Sequence, residues 1–159
     1  MLIASATIVF AASLSGPDKQ FLILAAKADM TAAHEAQMAE TPAQRADVKG
    51  LAKTLVQDRT ASYAQLSELA IKSGVSIPKG IDAAKDRAIQ QLAHLKGSAF
   101  GRQYTRDEIA SGLLTIATFK QETAHAKDAA VRAYASRMIP ILSKDLKLAE
   151  ECAKPAAHS

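Results

Sequence analysis

The stretch from Val131 to Cys152 constrains this chain more than any other. Apolar side chains recur there at Val131, Tyr134/Ala135, Met138, Ile141/Leu142, Leu148/Ala149 and Cys152. This is the three-and-four spacing of a helix with one buried face. Such a face has to be covered by other elements. Two residues break the pattern. Pro140 falls inside the helix, removes a backbone donor and predicts a kink. Asp145 lies on the apolar stripe, between Leu142 and Leu148, where a carboxylate needs a partner.

The same periodicity recurs upstream. Ser15-Gly-Pro17-Asp18 reads as a helix start, with a capping hydroxyl, an early proline and an acid in the first turn. The helix it opens is expected to run to about Glu40, with Phe21, Leu24/Ala25, Ala28, Ala32 and Met38/Ala39 inward. Thr41-Pro42-Ala43-Gln44 reads as a capping box that starts a second helix, which Gly74 ends. Its stripe is Val48, Leu51/Ala52, Leu55, Arg59, Ser62/Tyr63, Leu66 and Leu69/Ala70, so Arg59 interrupts it as Asp145 interrupts the last. Pro78 keeps Ile77 extended in the connector that follows. A short helix is expected from about Asp82 to Lys96, with Gly97 as its stop. A third long helix spans about Ser98 to Ala124, with Tyr104, Ile109, Gly112/Leu113, Ile116 and Phe119 inward. Asp128 caps the closing helix.

Four long amphipathic helices and one short one predict an all-α, four-helix bundle, with the short helix in a crossover as in ferritin-like topologies. With 48% apolar residues but only 4% aromatic among 159, the chain favours closely packed helices over sheets. A single domain is expected over residues 16–153, with 154–159 a frayed tail. The run Leu2–Ala12 is too short to span a bilayer as a helix. It suits the hydrophobic part of a secretory signal within residues 1–15, the alternative being a further buried segment. A signal would place the protein in the periplasm or otherwise outside the cytoplasm.

The chain resembles a bacterial ferritin-like family of unknown function, whose members are often described as outer-membrane or exported proteins. The resemblance covers roughly residues 18–152. It rests on Asp18-Lys-Gln-Phe21-Leu-Ile-Leu-Ala25-Ala26, Val48-Lys-Gly-Leu-Ala-Lys-Thr-Leu-Val-Gln-Asp58 and Gly74-Val-Ser-Ile-Pro78, and on Leu95-Lys-Gly-Ser-Ala-Phe100-Gly-Arg-Gln-Tyr104 and Ile139-Pro140-Ile-Leu. It implies an exported bundle. It also implies histidines at three positions that are Arg59, Gly112 and Asp145 here, and a glutamate where this chain has Ala32.

These departures shape the expected chemistry. A di-metal bundle needs inward glutamates from two helices and a Glu-x-x-His from each of the other two. This chain has one such motif, Glu122-Thr-Ala-His125, at a helix end, so it is a weak metal candidate. His34 and Glu35 read as an exposed helix pair. The lone Cys152 excludes an internal disulfide. A net charge of +4 is spread singly among acids, without a basic run, so nucleic acid is not an expected partner. Arg59 is the partner expected for Asp145, with Gly112 leaving room for the guanidinium and Asp58, Tyr63 and Tyr104 lining the same region. The alternative is that each charge reaches solvent separately. The expected function is a non-enzymatic, exported bundle without cofactor, with a protein or cell-envelope partner. A metal-binding or redox protein of the ferritin-like class is the alternative.

Overall fold

A computed structural model describes residues 13–154, and they form five helices and no strand. They are α1 (Gly16–Ala39), α2 (Ala46–Lys72), α3 (Ala83–Ala93), α4 (Gly97–His125) and α5 (Ala129–Ala153). The chain is an all-α bundle of four long helices with a short one in the crossover. The expected signal segment, up to residue 12, and residues 155–159 of the expected tail lie outside the described residues.

Local chemistry explains most boundaries. Ser15 accepts from the Asp18 amide at 3.2 Å, and Asp128 accepts from the amides of Ala130 and Val131, so α1 and α5 start where capping predicts. Asp82 caps α3 in the same way. The second helix does not start at Thr41-Pro42. It begins at Ala46, with Arg45 at its N-cap and no side-chain cap bond. The Ala43 amide instead bonds back to Ala39, so this segment finishes the first turn rather than opening the next helix. Gly97, expected as a stop, opens α4 at φ 59°, and α3 already ends at Ala93. Pro140 lies within α5, which continues through it.

α1 packs chiefly on α2 and α4 on α5, and the two pairs join through α2 and α5. α3 touches α1 and α4 and so lies along their seam. The apolar core falls into two clusters. One gathers Phe21, Leu22, Leu66, Phe119, Tyr134 and Met138, with Phe21 and Phe119 edge to face at 4.9 Å. The other gathers Val48, Leu51, Leu55, Phe100, Tyr104 and Cys152. Between them every long helix contributes buried polar residues: Asp29, Arg59 and Ser62, Thr105 and Glu108, and Asp145. The bundle therefore has a polar waist between two apolar ends. No helix among the described residues is long and apolar enough to cross a membrane.

Candidate functional site in the polar waist

The waist is built around Arg59. Its Nη2 donates to Asp145 Oδ2 at 2.6 Å, and its Nη1 lies 3.9 Å from Asp29 Oδ1. Arg59 is 6% exposed, Asp145 3% and Asp29 2%, so these charges are removed from water. Asp29 also accepts from Ser62 Oγ at 2.5 Å. Ser62 spends its one proton there, so Tyr134 Oη, 2.9 Å away, donates to Ser62. Tyr134, Ser62, Asp29, Arg59 and Asp145 thus form one polar string linking three helices.

At one edge the string approaches solvent. Asp58 is half-buried beside Asp145 and is itself paired with the exposed Lys144 at 3.3 Å. On the other side Glu108 and Tyr104 face the waist from α4, and Glu35 approaches them from α1. Burial pushes the carboxyls of Asp29 and Asp145 up to about 7 and that of Glu108 up to about 8. Arg59 pulls all three the other way without prevailing.

The residues singled out in the sequence fall into three groups. Arg59, Asp145, Asp58 and Tyr104 are gathered at the waist. Gly112 is not beside the guanidinium. A Cβ built there would meet Leu146 Cδ1 at 3.5 Å and Cβ at 3.7 Å, which is ordinary contact. Gly112→Ala should therefore stabilise the protein by about 0.5–1 kcal/mol through helix propensity, read as a rise in Tm. Tyr63 is elsewhere, donating to the Pro78 carbonyl at 2.8 Å, where it holds the crossover. Leu113, read as inward, is 54% exposed, because Glu108 and Thr105 occupy the inner face of α4. Glu35 is not a surface group: it is half-buried, and burial and Asp107 lift its carboxyl to about 7.

Asp29 and Glu108 were missed from the sequence. Each sits one helical turn from an apolar position, Asp29 after Ala25 and Glu108 after Tyr104, and that spacing was the available signal. Glu122 and His125 lie at the far end of α4, with Asp18 adding to the field at Glu122. Among the described residues no three side chains of His, Cys, Asp or Glu converge as a metal ion requires.

Comparison with known proteins adds a family and a fold. The family described as "Domain of unknown function (DUF4142)" matches residues 4–152. No curated protein matches. Among solved structures, the DUF305 fragment from Deinococcus radiodurans has a TM-score of 0.78 at 15% identity, covering 89% of this chain and 97% of that one. CopM in the Cu(I)-bound form has a TM-score of 0.70 at 15% identity, covering 84% and 93%. CopM in the Ag-bound form has 0.69 at 16%, with the same coverage. At these identities the likeness shows the fold.

Proposed function

This chain belongs to the DUF4142 family, and from that premise we propose that it is an exported, non-catalytic bundle of the ferritin-like class that works by binding a protein or envelope partner. The observation that carries this reading is Arg59 in the waist, 2.6 Å from Asp145 and 3.9 Å from Asp29. A guanidinium has no lone pair for a metal and repels one, so it takes the place that an oxidation-reduction centre would need. The apolar run Leu2–Ala12 supports export. Exposed Leu113 and Leu114 on α4 and Leu24 on α1 support a contact surface.

A second reading is metal handling. Two observations favour it: similarly folded CopM chains solved with copper or silver bound, and Glu122, whose Oε1 has no partner, close to His125. Metal analysis of the purified protein, followed by titration with iron, manganese, zinc and copper, separates the two. The first reading expects no stoichiometric metal. One equivalent of metal, lost in a Glu122→Gln/His125→Ala variant, would establish the second and remove the first.

A further inference from the structure

The waist carries more acid than its one cation can match. With Asp29, Glu108 and Asp145 ionised against Arg59, it would hold a net negative charge away from water, which is strongly unfavourable. Its hydrogen bonding is also incomplete. Asp145 Oδ1, Glu108 Oε1 and Tyr104 Oη have no partner, although these residues are 3%, 7% and 0% exposed. Buried polar atoms of this kind are almost always paired. In the fully ionised set the two free carboxylate oxygens can only accept, and Tyr104 Oη bonds neither of them. One added proton eases both faults: it removes one of the excess negative charges and turns an acceptor into a donor for the free carboxylate oxygen.

We propose that the waist is a proton-binding site in which Glu108 takes a proton from water and, as a neutral acid, donates to the free oxygen of Asp145, directly or through one buried water. The groups that face it all bear on this proton. Glu35 and Asp29 lie on α1, with Lys85 of α3 near Glu35. Arg59 and Asp58 lie on α2, Tyr104 and Asp107 on α4, and Asp145 and Lys144 on α5. Of those acting on Glu108, Glu35, Asp145 and Asp107 favour its neutral form and Arg59 alone opposes it. This inference does not depend on export or on the choice between partner and metal.

The consequence is a pH-dependent stability of definite sign. Burial raises Glu108 from the usual 4.5 to about 8 in the folded chain. The folded state then keeps a proton that the unfolded state has released. Stability from this group is complete below the ordinary glutamate range, falls as pH rises, and levels off above about 8. The test compares unfolding of the wild type and Glu108→Gln across that range, with infrared detection of protonated carboxyl groups in the wild type near neutral pH. The expected result is a wild-type folding constant that drops, relative to the variant, by about tenfold per pH unit until Glu108 ionises. A protonated carboxyl band present in the wild type and weaker in Glu108→Gln should accompany it. Parallel pH profiles for the two proteins, or no such band in the wild type, would overturn the proposal. The infrared arm needs no variant to be read on the wild type.

Discussion

Replacing Arg59 by leucine should destabilise the protein by about 3–5 kcal/mol, because it leaves Asp145 and Asp29 buried without their cation. The ion pair itself adds little net stability, since desolvation of both partners offsets their attraction. The loss on truncation comes from the carboxylates left behind. Two further measurements distinguish this from simple loss of packing. Arg59→Leu should recover stability as pH falls, because Asp29 and Asp145 can then take up protons in the folded state. Burial already raises both carboxyls to about 7, and without Arg59 they should move higher still. The double variant Arg59→Leu/Asp145→Leu should be markedly more stable than Arg59→Leu alone, since an apolar replacement of the pair removes one of the two stranded carboxylates. Chemical denaturation of the wild type and the two variants at two pH values is sufficient. If Arg59→Leu and the double variant were equally destabilised, the charge argument would fail.

Asp18 should give the second large effect. It is 1% exposed, and its two oxygens accept from the Lys127 amide at 3.3 Å and the Asp128 amide at 2.9 Å. One side chain at the start of α1 thus ties down the turn between α4 and α5. Asp18→Ala leaves both amides without a partner and should destabilise by about 2–4 kcal/mol. Asp18→Asn, which keeps an acceptor, should lose less. The pH dependence has the opposite sign to that of Glu108. Burial acts to raise the Asp18 carboxyl, but the amides of Asp128 and Lys127 and the Ser15 side chain outweigh it and lower it below 3.8. Its contribution is therefore complete above the ordinary aspartate range and disappears as pH falls through the lowered value. Amide exchange at Lys127 and Asp128 reads the same contact directly: it should quicken in Asp18→Ala while exchange in α2 is far less affected.

The helices were legible because helical periodicity is a local property. The stripes of α2 and α5 named the buried apolar residues, and Arg59 and Asp145 stood out because each broke a stripe. On α1 the stripe found Phe21, Ala25 and Ala39 but missed Leu22, Ala26 and Ala36, and it put inward Leu24, which is 47% exposed. Capping chemistry placed the starts of α1 and α5. It failed at Thr41-Pro42, where the Ala43 amide bonds back to Ala39, and at Gly97, whose positive φ serves a helix start as well as a stop. Nothing local distinguishes these outcomes. On α4 the apolar Leu113 was preferred over Glu108 by hydrophobicity alone, although the inner face carries the acid.

From the sequence alone came the number and order of the helices and two charges forced onto buried faces, since both follow from spacing along one strand of chain. Only the folded bundle decided that those charges meet, that Asp29, Ser62, Glu108 and Tyr134 join them, and that Tyr63 and Gly112 do not. The reason is physical: hydrogen bonding and desolvation at the waist depend on which faces of four helices reach the same level, and that level is set by how the helices pack.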